Sequence, residues 1–364
     1  MEKLRRGAIG AHCMLDTYRF VLALCVLQAH MLADGPTWLA AQAVFSFFVL
    51  SGFLMTLILN EDYGFEWGGF GRFAANRALR LLPIYYIVIG LTVLYLVLVG
   101  PLNQLSGAIA LPRDTAEWLE NLSVLGLGGF AHNAAYRLSP TAWSLAVEGF
   151  CYGLLGLYFA KSRVRLLVML AIGVAITVIQ IAGAFGEPGY GFRGHYRVIQ
   201  AGFIPFAVGG LAYFFRLSQL FTFSYAKVVI LCGLLVVNFL GGYLSEFHRD
   251  VSGLYVVILL NLALVPILFQ RPSRHRWQKA LGGMAYPFFL SHWLIGTLIA
   301  IYFPGMPVGG VVHLTVTTII TMLFSLLMYY GVDRQVQRVR ALIKNGGYRD
   351  YFRRRTGPQV ATVS

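Results

Sequence analysis

Long apolar runs broken by short polar gaps dominate this chain. About 17 to 22 apolar residues suffice for a helix to cross the hydrocarbon core of a bilayer. Such runs fall near 16–33, 39–59, 81–100, 142–160, 165–184, 198–215, 226–244, 251–270, 282–302 and 310–331. The first is short and interrupted and the fourth contains an acid, Glu148. The pattern predicts an all-α, polytopic helical bundle of about ten transmembrane helices. No repeat, heptad array or second soluble domain is visible. Residues 1–335 therefore read as one transmembrane domain, followed by a basic tail over 336–364. The stretch 101–141, with Pro101, Pro112 and Pro140, reads as an outer loop that covers a site.

Charge assigns the gaps to two sides, because Lys and Arg are retained in the cytoplasm. One set of gaps holds Lys3, Arg5 and Arg6; Arg72, Arg77 and Arg80; Lys161, Arg163 and Arg165; Arg216 and Lys227; Arg271, Arg274, Arg276 and Lys279; and the tail from Arg334. The alternate gaps are poor in cations: Asp34; Arg113 and Arg137 beside Asp114, Glu117 and Glu120; Glu187 with Arg193 and Arg197; and Glu246, Arg249 and Asp250. An even number of spans with both termini cytoplasmic satisfies every gap. The basic tail then lies on the cytoplasmic lipid surface.

Composition agrees: of 364 residues, 58% are hydrophobic and 12% charged, with a mean hydropathy of +0.68. The net charge of +14 does not indicate nucleic acid, since the cations are scattered singly between apolar runs. Cys13, Cys25, Cys151 and Cys232 lie far apart, without metal-ligand spacing, so neither a disulfide framework nor a metal site is indicated. Lys3, Arg5 and Arg6 resemble a signal-peptide n-region, but no small-residue cleavage site follows, so the first run reads as a retained span.

Titratable groups inside such runs are functional candidates, because each costs about 2.5–3.5 kcal/mol to place there. His30 follows Arg19 by eleven residues, close to three helical turns, so both project from one face with His30 roughly 16 Å further out. Glu148 lies in TAWSLAVEGF and His292 in YPFFLSHWL. Two imidazoles and a carboxylate on three helices are expected to meet in the outer half of the membrane. Each has a plainer reading as an interhelical hydrogen-bonder or structural ion-pair partner. Ser46, Ser51, Ser144 and Ser291 read as helix-packing groups. Arg77 and Arg80 share a helical face, with Arg72 close by, and forked guanidiniums at a membrane boundary suit phosphate. Positive-inside anchoring explains the same residues. Pro83 marks a helix start or a kink. No GxSxG, HExxH, P-loop or strand-to-helix GxGxxG motif is present.

The segments LDTYRFVLALCVLQAH, AVFSFFVLSGFLMT, RALRLLPIYY, TAWSLAVEGFCYGLL and YPFFLSHWL, in this order, resemble the signatures of the membrane acyltransferase-3 family. The resemblance covers about residues 15–335. It implies ten membrane helices in the bacterial inner membrane and transfer of an acyl group, usually acetyl, to sugar hydroxyls of surface or secreted glycans. Arg19 and His30 match the family's basic residue and histidine on the first helix. Arg77 and Arg80 match its RxxR motif, which is associated with an acyl-coenzyme A donor such as acetyl-CoA. Trp143, Ser144 and Glu148 match its WSLxxE segment, and His292 its late histidine helix. Two departures are notable: Asp333 is followed by Arg334 where an acid-proline pair is common, so no role is placed there, and the fused esterase-like domain of longer relatives is not seen.

The resulting expectation is an O-acyltransferase. Arg77, Arg80 and Arg72 hold the donor, and His30 acts as general base or acyl carrier. Glu148 and Arg19 complete the catalytic group, Glu148 by orienting or charge-balancing a histidine, and Trp143, Ser144, Ser51 and His292 support it or bind substrate. Expected partners are the lipid bilayer, glycan-assembly proteins and a saccharide acceptor: exopolysaccharide, O-antigen, lipochitooligosaccharide or a secreted small glycoside. Two other classes fit the same intramembrane residues: a transporter or flippase for a lipid-linked saccharide, and a structural subunit of a glycan-export complex.

Overall fold

The computed structural model describes residues 13–344 apart from 34, 103–104, 106–108, 129–136, 182–195, 197 and 272–275. The cations at 3, 5 and 6, Asp34, the loop charges Glu187, Arg193 and Arg197, Arg274, and the tail beyond Lys344 lie outside the described residues.

Helices stand at all ten places where the apolar pattern expects one: α1 (Cys13–Met31), α2 (Thr37–Ile58), α3 (Trp67–Leu98), α5 (Trp143–Leu157), α6 (Arg163–Ile181), α7 (Phe203–Phe215), α8 (Tyr225–Leu244), α9 (Gly253–Phe269), α10 (Arg276–Tyr302) and α11 (Val311–Met328). No strand occurs among the described residues. Six helices, α2, α3, α6, α8, α10 and α11, are long and apolar enough to cross a membrane. The helices α7 and α9 are apolar but shorter. The remaining two are α1, which carries Arg19 and His30, and the 15-residue α5, which carries Glu148.

Two further helices were not foreseen. Within the 101–141 stretch, α4 (Thr115–Ser123) starts at Asp114, whose Oδ1 accepts from the Glu117 amide at 2.8 Å. Glu117 in turn accepts from the Arg113 amide at 2.7 Å, a reciprocal arrangement that satisfies the helix start. The other, α12 (Arg334–Lys344), continues α11 through a π turn at Tyr329–Asp333. The chain does not break at Pro83 either: α3 runs on through it, so Arg72, Arg77 and Arg80 share a helix with the apolar span.

The most enclosed helix is α2, with 89% of its apolar window buried against 11% for α8, so α2 is the bundle axis and α8 faces lipid. It packs against α7, α1, α9 and α5. Contact with α7 is backbone-close at Gly52, where an added Cβ would sit 2.8 Å from Phe206 Cα. Small residues are how lipid-embedded helices gain van der Waals contact, since burial of apolar groups drives little there. Buried polar groups pair between helices: Tyr18 donates to Asn261 Oδ1 at 2.7 Å, and Asn261 Nδ2 donates to Ser46 Oγ at 3.0 Å. The first helix, α1, also packs against α10, and α12 lies on α3.

Candidate active site

Two cavities lie back to back around α1, α2, α5 and α10. The first, of about 240 Å³, is lined by Arg19, Arg77, Arg80, Arg340, Glu148 and Tyr152, with Ser51 and Ser144 in its wall. The second, of about 130 Å³, is lined by His30, Arg137, Thr141, Trp143, Tyr196 and Trp293. Val44 and Phe289 line both, so these two side chains form the partition. A larger groove of about 750 Å³ between α1, α2, α8 and α9 is almost wholly apolar and holds none of the candidate groups.

The shared face of α1 delivers Arg19 to the first cavity and His30 to the second, about three turns apart. His30 Nδ1 lies 3.0 Å from His292 Nε2 with the ring planes within 6°. The Phe289 carbonyl, which can only accept, lies 2.7 Å from His292 Nδ1. His292 therefore carries its proton on Nδ1 and donates it there. With both rings neutral, His292 Nε2 accepts from His30 Nδ1, which places the His30 lone pair on Nε2. Trp143 packs edge-on against Tyr196 at 4.6 Å, and Trp293 lies 4.9 Å from His30. From the end of the 101–141 stretch, Arg137, Pro140 and Thr141 line the histidine cavity.

The expected meeting of three groups is met only for the two histidines. Glu148 belongs to the arginine cavity, where its Oε1 accepts from Ser51 at 3.2 Å and its Oε2 from Tyr152 at 2.7 Å. Arg19 and Arg77 are within electrostatic reach of it. One turn of α5 separates Ser144 from Glu148, while the neighbouring Trp143 points to the histidine cavity, so a single helix serves both chambers. Ser51 is thus more than a packing group. Ser46, Ser144 and Ser291 bond to backbone carbonyls of their own helical turns or of Thr141, as packing groups do.

The arginines separate as well. Arg72 is exposed on α3 and does not line the cavity; it lies nearer the start of the helix, about two turns before Arg80. Arg80 is engaged by Asp333, its Nη1 lying 2.8 and 2.7 Å from the two carboxylate oxygens. Asp333, to which sequence reading gave no role, is thereby the buried counter-ion of the RxxR motif; Gln337 also donates to it at 2.7 Å. Arg340, Asp333, Tyr152, Arg137 and Tyr196 were all missed from the sequence. Tyr152 carried the only usable signal, lying one turn after Glu148. Asp333 and Arg340 sit in a segment whose charge was assigned wholly to lipid anchoring.

Buried titratable groups gathered in two chambers of a helical bundle form a candidate active site, and the comparisons give the class of protein that carries it. The family model for the acyltransferase-3 acyltransferase domain matches residues 15–330, and the chain belongs to this family. A relative from Bacillus subtilis (strain 168), named "Putative peptidoglycan O-acetyltransferase YrhL", is 26% identical over 93% of this chain. The aligned chain spans 56% of that relative's length. No solved structure matches the chain.

Proposed function

We propose that the protein transfers an acyl group, acetyl by family habit, from an acyl-coenzyme A at the cytoplasmic face to a hydroxyl of a surface or secreted saccharide. The observation that carries this reading is the shared partition: an arginine-lined chamber and a histidine-lined chamber meet at Val44 and Phe289. The first suits the polyanionic end of a donor, since four guanidiniums and one carboxylate line it. Both termini cytoplasmic would open it to that side. The donor supplies an acyl group activated as a thioester.

The protein's own groups do the rest. His30 Nε2 takes the proton of the acceptor hydroxyl as that oxygen attacks the acyl carbon; the thioester C–S bond then breaks and the coenzyme A sulfur leaves with that proton, which restores neutral His30. His292 fixes the tautomer and orientation of His30 through the bond to Nδ1, as the third member of a triad does. Arg137 adds positive charge where negative charge develops on the acyl oxygen. Glu148, bonded to Ser51 and Tyr152, balances the arginines nearest the partition. The covering loop and apolar walls keep water from the thioester. The relative's name adds peptidoglycan sugars to the candidate acceptors.

The test is the O-acetyl content of surface and secreted glycans in wild type, a deletion strain, and the deletion complemented with His30→Ala at equal expression. Loss on deletion, restored by wild type but not by His30→Ala, supports the reading and reveals the acceptor. Unchanged acetylation with reduced glycan export would instead assign a transporter or assembly role.

A further inference from the structure

Of the four arginines lining the first cavity, two already face carboxylates and two do not. Arg19 lies 3.8 Å from Asp16, and Arg80 is held by both oxygens of Asp333. Arg77 and Arg340 have no such partner within ion-pair distance among the described residues. Instead both donate to one neutral oxygen, Asn76 Oδ1: Arg77 Nη2 at 3.2 Å and Arg340 Nε at 2.8 Å. Arg77 Nε is buried and makes no hydrogen bond among the described residues. A buried guanidinium donor left without an acceptor is costly, so two adjacent guanidiniums in a polar cavity with no carboxylate bonded to either mark a site for a dianion.

We propose that Arg77 and Arg340, set side by side by Asn76, form the phosphate fork of the donor site, and that α12 closes that site from the C-terminal side. This rests on the acyl-coenzyme A reading above. Arg340 lies beyond the residues matched by the family, 15–330, so the family does not assign it. Arg80 is then a positioning residue: with its Nη1 bonded to both carboxylate oxygens of Asp333, it holds the π turn and carries α12 onto α3. Three ties keep α12 there. Asn76 Nδ2 donates to the Arg340 carbonyl at 3.0 Å, Gln337 donates to Asp333, and Lys344 pairs with Asp62 at 2.8 Å. The fork thus draws one arm from each of two helices, its two arginines being 263 residues apart in the chain. Bound phosphate gains the charge-assisted bonds that neither guanidinium has from a carboxylate.

The experiment measures coenzyme A affinity by calorimetry on the full chain in lipid nanodiscs, together with the melting temperature of the ligand-free protein. Wild type is compared with Arg340→Gln, Arg340→Lys, Arg77→Gln and Lys344→Met. Arg340→Gln and Arg77→Gln should each weaken binding at least about tenfold, the effect of losing a charged hydrogen-bond donor, and should lessen its dependence on ionic strength. Arg340→Lys should lie between, keeping the charge but not the fork. Lys344→Met, which removes one tie of α12 outside the cavity, should stay within about twofold, because the Asn76 and Gln337 bonds still hold the helix. The proposal is overturned if Arg340→Gln binds like wild type while Arg77→Gln does not, or if Lys344→Met weakens binding as much as Arg340→Gln. Failure of wild type to bind coenzyme A would remove the donor reading and this assignment together.

Discussion

Asp333→Asn is the most informative perturbation beside the arginine chamber. The native carboxylate is 2% exposed and takes two bonds from Arg80, at 2.8 and 2.7 Å, and one from Gln337 at 2.7 Å. Removing one partner of a buried pair costs about 3–5 kcal/mol, chiefly because the other charge is left uncompensated. The Arg80 side chain keeps 20% of its surface exposed, so water relieves part of that cost. The low end, about 3 kcal/mol, is the appropriate figure. At roughly 2 °C per kcal/mol for a long chain, the melting temperature should fall by about 6 °C. The assay is thermal unfolding of the detergent-solubilised full chain, followed by tryptophan fluorescence at one scan rate. The double variant Arg80→Met/Asp333→Leu is the control, because an apolar pair of similar volume removes both charges and should recover most of the loss. A fall of less than about 1 °C in Asp333→Asn, or a double variant as unstable as the single one, would refute the account of Asp333 as the buried counter-ion of Arg80.

Two further outcomes follow from the geometry. His292→Ala should lower the turnover of purified enzyme by about tenfold to a hundredfold with little change in donor affinity. It removes the acceptor that sets the His30 tautomer, but not the base itself, whose full contribution is about 10²–10⁴; a rate loss equal to that of His30→Ala would make His292 a direct participant. Gly52→Val should destabilise the bundle by about 1–3 kcal/mol, because its side chain meets the Phe206 backbone on α7; unchanged thermal unfolding would show that the α2–α7 crossing has room.

Chain sequence alone determined where the helices lie and which of their residues are chemically unusual. Both signals are local. An apolar run long enough to cross a bilayer must form a helix, because no water is there to satisfy its backbone. A histidine, glutamate or arginine within such a run declares itself by its cost. That is why helices stand at all ten expected places, and why Arg19, His30, Arg77, Arg80, Glu148 and His292 all line one of two adjoining chambers or, for His292, bond to a residue that does.

Partnership was decided only by the tertiary structure. His30 and His292 are 262 residues apart, and Arg80 and Asp333 are 253 apart. Helical periodicity reports which face a residue occupies, not which other helix that face meets. Depth along the membrane was a sound guide for the two histidines and a poor one for Glu148, because α5 turns neighbouring residues, Trp143 and Ser144, into different chambers. The counter-ion and the second arm of the proposed fork come from a segment whose charges have a sufficient local explanation as membrane anchors. Only the packing of α12 onto α3 shows that Asp333 and Arg340 face inward.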